Sequence, residues 1–196
     1  MVGERGMTVR PAVVDDAPAM GRLMVDSWLS AHRGQIPEDA WHQRVEQWTH
    51  EVSARGWARV LAERDSGNTA RHVLLVAEDA DGVVVAVVAG RAADDAPSGS
   101  IAEIGALYVA PDHHGQGIGR ALVRAAAGEL VTWGFSQLHL GVLTANLPAR
   151  RFYEAMGGHE IGERTFDEGG YLLPVTVYGW SDINTVVGGA GTTSWR

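Results

Sequence analysis

The sequence contains no cysteine among its 196 residues, and this absence excludes several kinds of chemistry. Disulfide bonds and thiolate metal sites cannot form without cysteine. The commonest covalent acyl carrier is also missing, so any acyl transfer by this chain must be direct or must use a weaker nucleophile. The histidines of the chain are scattered without the spacing of metal ligands, and the sequence therefore predicts no metal site.

Long apolar runs and an excess of basic residues are also missing. No apolar stretch approaches the length that crosses a bilayer, and residues 1–11 lack the apolar core of a secretion signal. The sequence therefore predicts a cytoplasmic protein without a membrane partner. The formal net charge of −8 disfavours a nucleic-acid partner, because phosphate contacts need a basic face. An acidic surface instead favours a cationic acceptor.

The segment Ile104–Leu130 predicts a strand, a glycine-rich turn and a helix. The strand Ile104–Val109 is apolar and ends before Pro111, and apolar residues then recur at helical spacing. Glycines in the turn let the backbone approach a ligand, so that free N–H groups at the helix start can point outward together. Such a helix end carries partial positive charge and suits a phosphate. The segment therefore predicts a site for a pyrophosphate.

Two common phosphate motifs do not fit this turn. The P-loop needs a lysine followed by serine or threonine where Arg120 and Ala121 stand, and the dinucleotide fingerprint needs a third glycine at Arg120. The turn resembles the acetyl-CoA signature of the GNAT family of N-acetyltransferases, (Gln or Arg)-x-x-Gly-x-(Gly or Ala). Here it reads His114-x-x-Gly117-x-Gly119, so the spacing matches and the first residue departs. Taken alone, the turn is equally compatible with a structural connection.

The order of predicted elements resembles the same family over Met7–Trp180: strand, two or three helices, three-strand meander, helix, strand, helix and hairpin. The resemblance implies an α/β (α+β) fold, with a mixed, mostly antiparallel sheet of about seven strands and flanking helices. Strands four and five would splay apart around the acyl-pantetheine arm. Residues 1–182 are predicted to form a single domain and residues 183–196 a flexible tail. Gly56 is predicted to divide the helical region Glu38–Glu63.

Tyr153 is the candidate general acid. The segment Asn146–Tyr153 resembles the family segment that carries a CoA-contacting asparagine and a tyrosine that acts as the general acid. A phenol is protonated near pH 7 and can donate to a departing thiolate. The alternative is that Tyr153 is a core residue, because it shares a helix face with Phe152 and Met156.

Glu103 is the candidate general base. It stands at the start of the fourth strand, where many relatives carry a glutamate, and would act on the amine through water. Other relatives carry the base on the fifth strand, at the position of Gly141, which has no side chain to act. The alternative is a solvated carboxylate at a strand end.

The resemblance also implies binding residues. Backbone groups of Leu107, Tyr108 and Val109 would hold pantetheine and polarise the thioester carbonyl. The rest of the cofactor-binding set comprises His114, Gly115, Gln116, Gly117, Ile118, Gly119, Arg120 and Asn146. The acceptor side would contain Trp28, His32 and Arg33, in a segment where relatives usually have tyrosine in place of His32. A histidine at 114 is a weak phosphate donor, and only when charged.

The sequence therefore predicts an acetyl-CoA-dependent N-acetyltransferase that passes acetyl to a primary amine by direct attack in a ternary complex. The acceptor would be a small-molecule amine or a protein N-terminus. One alternative is an acyl-CoA-binding sensor without turnover, and another is an enzyme for a longer acyl-CoA. Retention of both Glu103 and Tyr153 favours an enzyme. Relatives often dimerise through their last strands, which points to Tyr171–Trp180 as a dimer contact.

Overall fold

A computed structural model describes residues 2–3, 6–66, 72–93 and 100–188. One mixed sheet has the strand order β1-β2-β3-β4-β5-β6-β8-β7. Its strands are β1 Val2–Gly3, β2 Met7–Pro11, β3 Val73–Glu78, β4 Val84–Ala92, β5 Ile101–Val109, β6 Gln137–Leu143, β7 His159–Glu168 and β8 Tyr171–Trp180. The α-helices of the described residues are α1 Ala17–His32, α2 Glu38–Gln47, α3 His50–Asp65, α4 Ile118–Thr132, α5 Leu147–Glu154 and α6 Asn184–Val187. The seven strands from β2 onward match the predicted order, and β1 adds a two-residue edge.

β5 and β6 are the parallel pair of this sheet, and they stay together only at their N-terminal ends. Ile101–Ile104 pairs with Gln137–Leu140, and the register ends there. The other strand pairs are antiparallel. Beyond Ile104 the two strands separate, so the splay predicted from the family resemblance is confirmed.

A β-bulge at Gly105 changes which face of the sheet the end of β5 presents. Ala106 pairs with Ala89 and Ile104 pairs with Gly90, so Gly105 has no partner on β4. As a result Leu107 packs on the α4 side together with Ile104, whereas Tyr108 packs on the side of α1. Without the extra residue, strict alternation would point Tyr108 toward α4. The bulge therefore places Tyr108 on the face of the sheet that carries α1.

The core lies on both faces of the sheet. On one face α4 contributes its buried row, which includes Ile118, Leu122 and Leu130, and Trp180 joins the same cluster. On the other face α1 and α3 pack through residues such as Met20 and Leu61. This two-sided burial explains why the central strands β3 and β4 are almost continuously apolar.

The break between the second and third helices was predicted at Gly56, and that prediction is wrong. α2 ends at Gln47, and α3 begins at His50 and continues through Gly56. The side chain of Thr49 accepts a hydrogen bond from the backbone N–H of Val52 at 3.3 Å and caps α3. An interior glycine costs a helix only about 1 kcal/mol, which the packing of Trp57 outweighs.

The predicted flexible tail also needs correction at its start. Ile183 and Val186 are buried in the α4 cluster, and α6 forms around them. These apolar side chains give residues 183–188 a fixed place, because the burial of each offsets the cost of ordering the chain. The rest of the predicted tail lies outside the described residues.

The predicted dimer contact through Tyr171–Trp180 stays a prediction, and the strand order limits it to side chains. β8 is paired on one side with β6 and on the other with β7, so its backbone groups are already used. The free edge at this end of the sheet belongs to β7. A dimer formed by strand addition would have to use that edge.

None of the described helices is long and apolar enough to span a membrane.

We expect Gly21→Ala to destabilise the protein by about 1–3 kcal/mol, because α1 and α3 touch there through their backbones. A methyl group at Gly21 would lie 2.6 Å from the backbone nitrogen of Ala54. Gly56→Ala is the matched control, since no atom lies within 4 Å of its added methyl group. That control should gain about 0.5–1 kcal/mol from helix propensity. Urea unfolding of both variants tests the pair, and equal effects would contradict the close packing.

Candidate active site

A cleft of about 1510 Å³ opens where β5 and β6 separate. The splayed strands form its walls, the glycine turn lies at one end, and the C-terminal part of α1 lies on the opposite side from α4. Most of the predicted site residues line it: Trp28, His32, Glu103, Leu107, Tyr108, Val109, His114, Gly115, Gly117, Ile118, Gly119, Arg120, Asn146 and Tyr153. Gln116 and Arg33 are the two that do not.

The glycine turn has the geometry of an anion site. Gly115 and Gly117 have φ values of +74° and +81°, a conformation that other residues adopt only with strain. Gly117 is the N-cap of α4, so the first N–H groups of this 15-residue helix follow it directly. Nothing lies within 4 Å of a methyl group built at either glycine. The turn therefore leaves open space in front of a positively polarised helix end.

His114, the residue that departs from the family signature, has a partner inside the turn. Its Nε2 lies 2.9 Å from the carbonyl oxygen of Val109, to which it can donate a proton. The hydroxyl of Ser27 on α1 donates to the same carbonyl at 3.4 Å. The imidazole thus ties the turn to the end of β5. Gln116 similarly donates to the carbonyl of Asp112 at 3.2 Å, outside the cleft.

Tyr153 lies on α5 and is 7% exposed. Its ring contacts those of Phe152, Tyr178 and Trp180, which fix its orientation. Burial raises the pKa of the Tyr153 phenol well above its usual value. The ring is packed in the core, as the alternative interpretation expected, and it also lines the cleft, so the role of Tyr153 as the acid stays a prediction. The phenol remains a proton donor at any neutral pH.

Asn146 caps the helix that carries Tyr153. Its side-chain oxygen accepts a hydrogen bond from the backbone N–H of Ala149 at 3.2 Å. Phe152 on the same helix would lie 3.4 Å from a methyl group at Gly119, so α5 and the start of α4 approach closely. This contact brings the predicted acid beside the predicted phosphate turn.

Glu103 is held between two arginines. One carboxylate oxygen lies 2.9 Å from Nη2 of Arg164, and the other lies 3.7 Å from Nη2 of Arg91. The Glu103 side chain is only 13% exposed. It is therefore a paired carboxylate, and not the solvated strand end that was the alternative. Arginine is well suited to such a pair because its guanidinium is always charged.

Gly141 makes this pairing possible. A methyl group at Gly141 would lie 2.7 Å from Nη2 of Arg164 and 2.9 Å from Cγ1 of Val175. The arginine of β7 therefore crosses the surface of β6 over a residue without a side chain to reach Glu103. Sequence reasoning missed Arg164 and Arg91, because their partner is fixed by strand order and register and leaves no local pattern.

His139 on β6 is a further cleft residue that the sequence did not single out. It stands beside Glu103 in the parallel register. Burial lowers the pKa of His139, and the neighbouring charge of Glu103 opposes that shift.

The predicted acceptor side of the cleft is bordered by α1, α2 and the end of β7. The guanidinium of Arg44 lies 4.0 Å from the ring centre of Trp48 and 5.2 Å from that of Trp28. It also pairs at 3.1 Å with the buried carboxylate of Glu168. This cation–π stack fixes Trp28 as a wall. Arg33 instead lies over the ring of Trp41, away from the cleft.

Tyr108 faces this side of the cleft from β5. Burial raises its pKa to about 12, the charge of Arg44 opposes the shift, and that of Glu168 adds to it.

No group of three or more histidine, aspartate or glutamate side chains suited to a metal occurs within the described ranges.

The profile of the acetyltransferase (GNAT) family matches residues 33–158 of this chain. The chain is 26% identical over 181 residues to the uncharacterized N-acetyltransferase YuaI of Bacillus subtilis, covering 92% of this chain and 96% of YuaI. It is 39% identical over 57 residues to the thialysine N-epsilon-acetyltransferase of Bos taurus, covering 29% of this chain and 34% of that enzyme.

Solved structures show the same fold. The PaiA N-acetyltransferase of Thermoplasma acidophilum, in complex with coenzyme A, superposes with a TM-score of 0.63 at 18% identity, covering 87% of this chain and 97% of that one. YncA of Salmonella typhimurium, solved with acetyl-CoA, gives a TM-score of 0.66 at 19% identity, covering 89% and 92%.

Proposed function

Because the chain belongs to the acetyltransferase (GNAT) family and is an acyltransferase that uses acetyl-CoA, we propose that it passes acetyl to a primary amine by direct attack in a ternary complex. The observation that carries this proposal is the cleft itself. It joins the glycine turn, the separated end of β5 and the buried phenol of Tyr153 in one continuous space.

The residues of the cleft fit a CoA group. Gly115 and Gly117 leave room for a pyrophosphate against the N-terminus of α4, and Arg120 lines the same end. Past Ile104 the strand β5 has lost its parallel partner, so the backbone groups of Leu107 and the backbone N–H of Val109 can hold the pantetheine amides and the thioester carbonyl. Acetyl-CoA supplies the activated acetyl group.

Tyr153 would protonate the leaving sulfur. Its phenol is protonated throughout the neutral range and lines the cleft beside the phosphate turn. Assignment of the base to Glu103 stays a prediction, and the paired arginines bear directly on it. A carboxylate that already faces two guanidinium groups is a stable ion-pair partner, and an incoming ammonium would compete with both.

The acceptor follows from the charges in the cleft. Glu103 is the one carboxylate that lines it among the described residues, and both of its oxygens face arginines. A polyamine would bring several positive charges to a space without a matching number of carboxylates. We therefore propose an acceptor with a single amine, either a small molecule or a protein N-terminus. Over the residues that the structure describes, the acidic net charge of the chain does not extend into the cleft.

The test is titration with acetyl-CoA by calorimetry, followed by thiol release against a panel of amines. The panel contains monoamines, amino acids, polyamines and short peptides with free N-termini. All 16 basic residues of the chain are arginines, so no lysine of the enzyme competes as an acceptor. Amine-dependent release of CoA supports the proposal. Binding without turnover on every amine would favour the sensor alternative, and absence of binding would contradict both.

A further inference from the structure

His32, the last residue of α1, has a fixed ring and a fixed tautomer. Its Nδ1 lies 2.8 Å from the carbonyl oxygen of Trp28, one turn earlier in the same helix. A carbonyl only accepts hydrogen bonds, so Nδ1 must carry the proton. The ring centres of His32 and Trp28 lie 4.6 Å apart. The guanidinium of Arg44, on α2, stacks against the Trp28 ring.

This arrangement leaves the second ring nitrogen as a hydrogen-bond acceptor. With the proton on Nδ1, Nε2 of His32 presents a lone pair. Within the described part of the chain, Nε2 has no hydrogen-bond partner, and it is not sealed in the core. The residue is 8% exposed, and it lines the cleft. The lone pair is therefore open to the cleft and available to a ligand.

His32 is neutral at pH 7. Burial lowers its pKa below the usual 6.5, and the hydrogen bond to the carbonyl of Trp28 opposes that shift. Several ionisable groups face the same cleft or the ring of Trp28, and burial remains the main cause of the shift. They are Arg44, Glu168, Tyr108, Glu103, His139, Arg91 and Arg164.

The two positions at which the family resemblance places a base are less available. Glu103 has an arginine on each carboxylate oxygen. Gly141 has no side chain, and Arg164 occupies the space above it. Ser27, five residues before His32 on the same helix, donates to the carbonyl of Val109. This bond places the end of α1 against the splayed end of β5, where the proposed function locates the thioester.

We propose that Nε2 of His32 accepts the proton of the acceptor amine. This assignment rests on the proposed function, since it concerns the same cleft and the same reaction. It makes His32 a catalytic residue and leaves Glu103 as a positioning residue that holds Arg91 and Arg164. The residue type matters here, because a tyrosine at this position would present a donor near pH 7 where histidine presents an acceptor.

The protons balance as follows. The acceptor arrives as an ammonium ion and loses one proton to Nε2, which passes it to solvent. The neutral nitrogen then forms a bond to the acetyl carbon as the carbon–sulfur bond breaks. The nitrogen gives its second proton to Nε2, and the sulfur takes one from Tyr153. Proton exchange with water restores both side chains, so ammonium and thioester yield amide, thiol and one proton.

The test compares His32→Gln with the wild type, using an amine from the panel that the wild type accepts. We expect kcat/KM for the amine to fall by about 10²-fold, within the range of general acid–base catalysis. In the wild type, the rate should fall as the pH drops through the lowered pKa of His32, and this limb should vanish in the variant. The affinity for acetyl-CoA, measured by calorimetry, should not change.

Three further variants separate a catalytic role of His32 from a structural one. His42→Gln removes an exposed histidine of α2 that lies outside the cleft, and it should keep the wild-type rate. In His32→Ala, added imidazole should restore activity, and substituted imidazoles should do so according to their pKa. A merely structural role for His32 would not make the restored activity depend on the pKa of the added imidazole. Glu103→Gln should retain the acidic limb of the pH profile.

Some results would overturn the assignment. The first is a His32→Gln variant with kcat/KM within about threefold of the wild type, or with its acidic limb intact. The second, independent of turnover, is a nitrogen-15 spectrum at pH 7 that shows a proton on Nε2. A wild type that acetylates no amine would instead count against the proposed function, so the two failures can be told apart.

Discussion

Tyr153→Phe should lower kcat for acetyl transfer by about 10³-fold while the Kd for acetyl-CoA stays close to that of the wild type. The phenol is buried against three aromatic rings, and its raised pKa keeps it protonated at neutral pH. Phenylalanine preserves that packing and removes only the proton donor. Stopped-flow measurement of thiol release, with calorimetry for binding, separates the two effects.

The matched control is Tyr178→Phe. The hydroxyl of Tyr178 donates to Glu154 at 2.7 Å and accepts from Arg150 at 3.1 Å, and the residue does not line the cleft. Loss of the Tyr178 hydroxyl should reduce the free energy of unfolding by about 1 kcal/mol and leave kcat unchanged. If Tyr153→Phe kept kcat within a few-fold of the wild type, the leaving sulfur would not need this phenol.

Gly117→Asp should weaken binding of acetyl-CoA by about 10³-fold. A carboxylate about 4 Å from a phosphate charge is repelled by about 4 kcal/mol at an effective dielectric constant near 20. The left-handed backbone at Gly117, with φ of +81°, adds some strain. Calorimetry at two salt concentrations gives the measurement, and the loss should shrink at high salt because the repulsion is screened.

Gly117→Asn isolates the charge. Asparagine tolerates the left-handed conformation about as well as aspartate and has nearly the same size, but it is neutral. It should lose much less affinity than Gly117→Asp, and its loss should not depend on salt. Equal losses in both variants would show that backbone shape and not phosphate charge governs this turn.

The glycine turn and the order of elements could be predicted from the sequence because both are local. The turn consists of neighbouring residues, and the elements follow from periodicity and from breaks such as Pro111. The helix break failed as a prediction because glycine was given more weight than the cap at Thr49. Glycine only lowers helix propensity, whereas a capped start fixes where a helix begins.

The chemistry around Glu103 could not be predicted, because it depends on the placement of distant strands. Arg164 lies 61 residues away and reaches Glu103 only because β8 lies between β6 and β7. In the sequence, Gly141 stands at the position where other relatives carry the base. In the structure, the missing side chain of Gly141 leaves the space through which Arg164 reaches Glu103. The tautomer of His32 was equally inaccessible, because it depends on where the carbonyl of Trp28 points.

The short parallel pairing of β5 and β6 links the stability of the fold to its co-substrate. These strands share register over only four residue pairs, so a pantetheine chain bound between them, as we propose, would complete the sheet. At a ligand concentration 100 times Kd, binding adds about 2.7 kcal/mol to the free energy of unfolding. Hydrogen exchange should therefore slow on loading at Leu107–Val109 and Gly141–Leu143. The buried strand β3 should stay equally protected with and without ligand, because its pairing is already complete.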